Sequence, residues 1–233
     1  MYARELGDQE LTFGVSGKLI MNALVMYDHQ TETLWSQFLS LGVDGPLTGT
    51  RLDLVAALQT DWGTWRDLHP DTTALFTGST PNRDNYASYY NRGSAGILGE
   101  FNSDKRLGRK ELVLGVAENG DTKAFPLVPL QIDGVVNDVV GGLSIVVIGD
   151  PSGKTAAAFE RTVNGRGLTF TTKVTSDGGQ ELVDNQTGTT WEPLTGIGIS
   201  GELAGTVLKR LPTTYSFWFA WTDFYPDTGL YTG

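Results

Sequence analysis

The sequence predicts a mainly β, internally duplicated domain with pseudo-twofold organisation and one short helix per repeat. Three observations lead there. Thirty glycines and nine prolines cut the 233 residues into short apolar runs. Asn-Gly turns separate such runs at Asn119-Gly120 and Asn164-Gly165. One stretch of the chain also returns at a constant spacing. Short runs between turn residues read as strands, because a buried helix face needs a longer pattern of period 3.6. Asn-Gly marks a hairpin because both positions accept a positive φ.

Taken in chain order, Leu11-Thr12-Phe13 returns as Leu168-Thr169-Phe170. Asp28-His29-Gln30-Thr31-Glu32-Thr33-Leu34-Trp35 returns as Asp184-Asn185-Gln186-Thr187-Gly188-Thr189-Thr190-Trp191, and Gly45-Pro46-Leu47-Thr48-Gly49-Thr50 as Gly201-Glu202-Leu203-Ala204-Gly205-Thr206. Trp62, Trp65, Asp67, Pro70, Asp71 and Thr72 match Trp218, Trp221, Asp223, Pro226, Asp227 and Thr228 in the same register. Such a repeat constrains architecture before any residue is given a role. It divides the chain into a first, N-terminally incomplete repeat (1–78), a connecting segment (79–109) rich in Asn, Ser, Gly and Arg, and a second, complete repeat (110–233), together one compact domain. Tyr2-Ala3-Arg4 lines up with Phe159-Glu160-Arg161, so the stretch 110–158 has no counterpart upstream. The expectation is either that the chain is a piece of a longer protein, or that a second molecule supplies the missing strands, as in a homodimer.

Within the second repeat, Leu112 to Val116 reads as a strand turning at Asn119-Gly120, and Leu143 to Ile148 as a fully buried strand. A helix capped by Thr60 or Asp61 runs through Trp65 and Leu68 to Pro70, and its counterpart spans Thr214 to Phe224 and ends at Pro226. Both follow the rule that a polar cap opens a helix and proline closes it. Trp62, Trp65, Trp218 and Trp221 are then expected to pack equivalent halves of one core.

Composition narrows function. With 17 Lys+Arg against 27 Asp+Glu, the formal net charge is −10, and nucleic acid is excluded as partner because a phosphate binder needs a basic face. The absence of cysteine excludes disulfides, thiolate nucleophiles and Cys-ligated metals. No stretch reaches the roughly 20 apolar residues of a membrane helix, and Met1-Tyr2-Ala3-Arg4-Glu5 does not read as an export signal. Gly149-Asp150-Pro151-Ser152-Gly153-Lys154-Thr155 imitates a phosphate loop, but it is one residue short between its glycines and Pro151 removes a donor, so a tight turn is expected. Gly14-Val15-Ser16-Gly17 is likewise read as a turn and not as a nucleophile elbow.

Candidate chemistry gathers in the first repeat. Asp28, Gln30 and Glu32 place oxygen ligands on alternate residues, as Ca²⁺ or another hard divalent cation prefers. The plainer alternative is a hairpin in which Asp28 or Asp184 bonds the turn backbone. His29, His69 and Asp71 are candidates for base or ligand, although the second repeat has Asn185, Tyr225 and Asp227 at those positions. Tyr215, Phe217, Trp218, Phe219, Trp221, Phe224 and Tyr225 form an aromatic run that is a stacking platform if exposed and core if not.

Phe13-Gly14-Val15-Ser16-Gly17, Asn22-Ala23-Leu24-Val25-Met26-Tyr27-Asp28, Leu34-Trp35-Ser36-Gln37, His69-Pro70-Asp71-Thr72, Val136-Asn137-Asp138-Val139-Val140-Gly141-Gly142 and Phe217-Trp218-Phe219-Ala220-Trp221 together resemble the bacterial domain of unknown function 3179 family. The resemblance implies a repeat-built, β-rich domain of exported or lipid-anchored bacterial proteins, hence an extracytoplasmic location. Complete members resemble His-Glu-x-Val-Asn-Asp followed by Cys-Pro-x-Cys ahead of the Phe-Gly-Val-Ser-Gly motif. This chain offers Asp133-Gly134-Val135-Val136-Asn137-Asp138 in the second repeat, without the His, Glu or cysteines.

The leading functional expectation is a domain that binds a polar small molecule or glycan in a cleft between the repeats, with Trp35, Trp191 and Gln30 as binding residues. The alternative is a divalent-metal-dependent hydrolase acting on an ester or lactone, with Asp28 and Glu32 on the metal and His29, His69 and Asp71 as catalytic groups. A third expectation is an assembly module completed by strands of another chain.

Overall fold

The computed structural model describes residues 1–75, 78, 86–174 and 180–233. Residues 79–85 of the connecting segment therefore lie outside the described residues. β1 (Glu5–Leu6) and β2 (Gln9–Glu10) form a small hairpin. β3 (Phe13–Ile20), β4 (Ala23–Asp28), β5 (Leu34–Ser36) and β6 (Leu41–Asp44) follow as an antiparallel meander. Two helices come next, α1 (Trp62–Leu68) and α2 (Ala87–Asn91). The hairpin of β7 (Leu112–Glu118) and β8 (Asp121–Pro126) leads into α3 (Leu127–Asp133). β9 (Val135–Val140), β10 (Leu143–Gly149) and β11 (Ala156–Glu160) form a three-stranded sheet with β10 in the middle. β12 (Thr162–Val163) and β13 (Arg166–Gly167) make another small hairpin. β14 (Phe170–Val174), β15 (Gln180–Asp184), β16 (Thr190–Trp191) and β17 (Gly198–Ser200) make a second meander. β18 (Thr214–Phe217) returns beside β7, α4 (Trp218–Phe224) follows, and β19 (Gly229–Leu230) pairs in parallel with β8. The resulting sheet order is β18-β7-β8-β19.

The architecture is thus mainly β, and its turns follow from residue type. Asn119 and Gly120 adopt φ of 47° and 88°, and Asn164 and Gly165 adopt 50° and 77°. These are the left-handed values that a two-residue hairpin with matching twist demands. The unbroken apolar run of β10 has an equally direct cause, because both of its faces are covered. Ile145 and Val147 pack with Leu114, Phe125 and Leu130 on one side. Val146 and Ile148 pack with Phe170, Leu182 and Trp191 on the other. Alternate residues point to opposite faces of a strand, so a strand between two cores is apolar throughout.

Four helices are present among the described residues, not one per repeat. α3 escapes a pattern search because Pro129 sits inside it. Pro129 falls in the first turn, where the backbone N–H has no helical partner to lose. Gly134, at φ 71°, ends the helix by donating its N–H to the Leu130 carbonyl at 2.9 Å. α4 begins at Trp218 and not at Thr214, since Thr214–Phe217 is drawn into a strand by β7. The expectation of four tryptophans in equivalent core positions also fails. Trp218 and Trp221 are buried against Val113 and Ala124, whereas α1 buries none of its residues and Trp62 is 52% exposed. The reason is tertiary: β7 and β8 lie over α4, and among the described residues no strand pair lies over α1.

Candidate functional site

One densely bonded polar cluster contains several of the predicted site residues. Asp28 ends β4 with no exposed surface, yet its carboxylate is fully engaged. Oδ1 accepts from the Thr31 amide at 2.6 Å, and Oδ2 accepts from the Thr31 hydroxyl at 2.8 Å and from Trp35 Nε1 at 2.8 Å. Burial alone would push this carboxyl up. The bonds from the Trp35 indole, the Thr31 amide and hydroxyl and the Gln30 amide outweigh it and hold Asp28 below the usual carboxylate range. Thr33 Oγ1 accepts from the Leu47 amide at 3.1 Å and so ties the meander to the following loop.

The same bonds occur around Asp184. Its Oδ1 accepts from the Thr187 amide at 2.6 Å, and its Oδ2 from the Thr187 hydroxyl at 2.7 Å and Trp191 Nε1 at 3.0 Å. Burial again works against ionisation. Donors from Thr187, Trp191 and Thr189 reverse it and lower the carboxyl. Gln30 Oε1 accepts from the Thr12 amide at 2.9 Å while its Nε2 donates to the Thr12 hydroxyl at 3.0 Å; Gln186 makes the matching pair with Thr169. Trp35 and Trp191 are core residues, 0% and 1% exposed. They pack edge-on against Phe13 and Phe170. The arrangement is the Asx-turn alternative to a cation site, with its charge spent on turn amides, hydroxyls and an indole.

A calcium ion does not fit this set. Asp28 directs both oxygens at protein donors, Gln30 is clamped on Thr12, and Glu32 has an exposed side chain at φ 58°. Among the described residues, no three His, Asp or Glu side chains gather closely enough to hold a metal ion. His29 sits in the β4–β5 turn, edge-on to the Tyr27 ring at 4.9 Å. His69 closes α1, its ring 4.2 Å from that of Trp65, and Asp71 is exposed in the turn beyond. No hydrogen bond joins His29, His69 and Asp71 among the described residues. Ser16 lies in β3 and donates to the Val25 carbonyl at 2.6 Å, and Gly149–Gly153 is a turn in which the Gly153 amide donates to Asp150 O at 2.8 Å.

The structure also forms a cavity that none of those residues lines, of about 870 Å³. It lies between the β3–β4 meander and the β18–α4 segment. Asn22, Gln37 and Phe38 come from one side, and Ser216, Phe217 and Tyr225 from the other. Phe38 bridges the two, stacked on Phe224 at 4.3 Å and 6.0 Å from Tyr225. A third wall brings Tyr86 and Tyr89, with the Tyr89 ring 6.2 Å from Phe217 and the Lys110 ammonium 3.7 Å from its centroid. Asn22 fixes this wall by donating to Gly99 O at 2.7 Å and accepting from the Leu98 amide at 2.8 Å.

Chemically the lining is aromatic and neutral. None of its described side chains is charged. Burial, then the neighbouring Tyr225, pushes the Tyr2 phenol up to about 12, and its hydroxyl donates to the Gln37 carbonyl. Burial also pushes Tyr225 up, with Arg51 opposing. These phenols therefore stay protonated at any physiological pH. Ser216 Oγ, on the cavity wall, is buried without a hydrogen-bond partner among the described residues. The signal for this site in the sequence was the Tyr215–Tyr225 aromatic run. The contribution of Asn22, Gln37 and Phe38 left no pattern, because it depends on how the meander docks.

No helix among the described residues is long and apolar enough to cross a membrane. No curated protein and no solved structure matches the chain. The model of one family, described as Protein of unknown function (DUF3179), matches residues 1–228, and the chain belongs to that family.

Proposed function

We propose that this protein binds an uncharged polar small molecule or a glycan in the cavity between the β3–β4 meander and the β18–α4 segment. The observation that supports the reading is the lining itself. Flat rings of Phe217, Tyr89 and Phe38 supply stacking surface, Gln37 and Gln59 supply neutral donors and acceptors, and none of the described lining side chains is charged. A volume of about 870 Å³ falls within the roughly 300–1,000 Å³ of small-molecule sites, whose walls are mostly apolar with a few placed polar groups. A sugar ring meets such a wall well, with C–H groups against an aromatic face and hydroxyls toward amides. The metal-assisted hydrolase has no comparable support, since His29, His69, Asp71 and Glu32 are spread over separate turns and Asp28 is committed to its own.

Thermal unfolding against a panel of neutral mono- and oligosaccharides and polyols tests the reading. A ligand that binds only the folded state stabilises it by about 2.7 kcal/mol at a hundredfold excess over Kd. The expected result is a saturable rise in Tm that disappears in Phe217→Ala and in Tyr89→Ala while both variants keep the circular dichroism of the parent. A panel without any stabilising ligand, or a shift that survives both substitutions, overturns it.

A further inference from the structure

We propose that Asn164, at the tip of the β12–β13 hairpin, is a site of covalent self-modification that turns its carboxamide into isoaspartate or aspartate. The chain contains two Asn-Gly dipeptides, Asn119-Gly120 and Asn164-Gly165. Glycine has no Cβ to shield its nitrogen, so the Gly165 nitrogen, once its proton is lost to hydroxide, is free to attack the Asn164 side chain. A new N–Cγ bond closes a succinimide ring. The Cγ–Nδ2 bond breaks, and ammonia leaves with a proton taken from water, which restores the hydroxide. One water molecule then opens the ring. Cleavage of the N–Cγ bond gives aspartate, and cleavage of the backbone C–N bond gives isoaspartate, whose main chain runs on through Cβ and Cγ. Asparagine and water thus become a carboxylic acid and ammonia with no other reactant, and the formal charge of −10 becomes one unit more negative.

Both dipeptides occupy left-handed turns, and both asparagines are exposed. Ring closure needs a backbone twist that a closed two-residue turn does not supply, so the hairpin must open before the chemistry begins. Opening is where the two sites differ. β7 and β8 share six residue pairs within a four-stranded sheet, and Asn119 Nδ2 donates to the Gly141 carbonyl at 2.9 Å. β12 and β13 share two pairs, Thr162 with Gly167 and Val163 with Arg166, in a sheet of two strands. The Asn164 side chain makes no hydrogen bond among the described residues. Isolated two-stranded ribbons are marginal in water, and such elements open at free energies far below that of global unfolding. The pair of Arg166 with Glu202 at 3.0 Å, more than half exposed on both sides, adds little to hold the ribbon closed.

The hairpin β1–β2 is built in the same way but lacks the reactive pair. Glu5 pairs with Glu10 and Leu6 with Gln9, and the turn between them is Gly7-Asp8, with Gly7 at φ 59° where Asn164 has 50°. Such a ribbon therefore closes without a carboxamide at its tip, and glycine serves at that position. The reach of the modification is set by the anchors behind the tip. Val163 and Leu168 are buried with Phe170 and Trp191, and the Leu168 amide donates to the Arg161 carbonyl at 2.7 Å. An isoaspartate at 164 adds a main-chain carbon to a two-residue turn and spoils its match to the twist of the strands. The core residues on either side confine that change to the tip.

The test incubates the intact chain at mildly alkaline pH, folded in buffer and unfolded in guanidinium chloride, and follows proteolytic peptides by mass spectrometry, with electron-based fragmentation separating isoaspartate from aspartate. In the folded chain Asn164 should convert at least about tenfold faster than Asn119, because one ribbon opens locally and the other only with its sheet. In denaturant the two rates should converge. Val163→Ala, which loosens the anchor of the hairpin, should raise the Asn164 rate severalfold. In Asn164→Gly, which copies the Gly7 turn, ammonia release from the folded chain should fall to a small remainder while the circular dichroism spectrum stays unchanged. Conversion at Asn119 as fast as at Asn164 in the folded chain overturns the proposal. So does an Asn164 that stays intact in buffer over a time in which the unfolded chain converts, an Asn164 rate unmoved by Val163→Ala, or ammonia release that persists in Asn164→Gly.

Discussion

α1 and α4 share a length of seven residues, the tryptophan spacing and the cap geometry, with terminal φ/ψ of −134°/71° at His69 and −131°/72° at Tyr225. Their burial is opposite: Trp218 has no exposed surface, while Trp62 is 52% exposed. The N-termini show how each helix meets its environment. Trp218 and Phe219 donate their amides to Glu111 O and Arg109 O, on the chain leading into β7. In α1 the Asp61 carboxylate serves as cap. The first amides of a helix always need partners from outside it, and a carboxylate or a neighbouring backbone satisfies them equally well. What the pair teaches is that near-neighbour bonds make the helix, while residues far away in sequence decide whether it becomes core.

The largest expected effect breaks the pair apart. Trp221→Ala should cost about 3–5 kcal/mol, as large aromatic deletions in a core do, and Trp65→Ala only about 1 kcal/mol. Urea denaturation of the two variants side by side measures the difference, and equal losses would mean that α1 is as firmly packed as α4.

The two Asp-centred turns should behave alike, unlike the helices. Asp28→Ala and Asp184→Ala each leave a buried indole N–H and a threonine without their acceptor, at a cost of about 2–4 kcal/mol each. The pH dependence follows from the lowered carboxyl values. A carboxyl depressed in the folded state contributes stability that is complete above its unfolded value near about 3.9 and is lost as pH falls through the folded value. Stability should therefore hold from neutrality to about pH 5 and fall steeply below about pH 4. The Asp28→Asn/Asp184→Asn double variant should be less stable at neutral pH and should lose less on acidification, as denaturant midpoints across this range would reveal.

The smallest effect sharpens the same comparison at one backbone position. Glu32 sits at φ 58° where its counterpart Gly188 sits at φ 69°. Left-handed backbone penalises a side chain and suits glycine, so Glu32→Gly should raise stability by about 0.5–1 kcal/mol and Gly188→Glu should lower it by a similar amount. Loss of stability in Glu32→Gly would show that the carboxylate makes a contribution beyond the turn.

Of the candidate site, the sequence made the Asp-x-Gln-Thr-x-Thr-x-Trp turns legible, because every bond in them spans a few residues or reaches one neighbouring strand. It left open whether Asp28 met a cation or its own turn, since oxygen spacing is the same in both cases. Only the positions of the Thr31 amide and the Trp35 indole separate them. The cavity was legible on one side, as the Tyr215–Tyr225 run, and silent on the other. Asn22, Gln37 and Phe38 have no spacing in common, and they meet Ser216 and Phe217 through the docking of two sheets.

The sequence by itself determined the mainly β character, the hairpins at Asn119-Gly120 and Asn164-Gly165, the two tryptophan-bearing helices and their proline stops. Each of these is a contest between backbone conformations within a few residues, and residue type settles it. Tertiary structure alone decided that β10 is buried on both faces, that Trp221 is core while Trp65 lies in an open groove, and that an aromatic, uncharged cavity forms between distant segments. Burial depends on which surfaces arrive to displace water, and those surfaces come from residues tens to nearly two hundred positions apart in the chain, whose meeting no local pattern records.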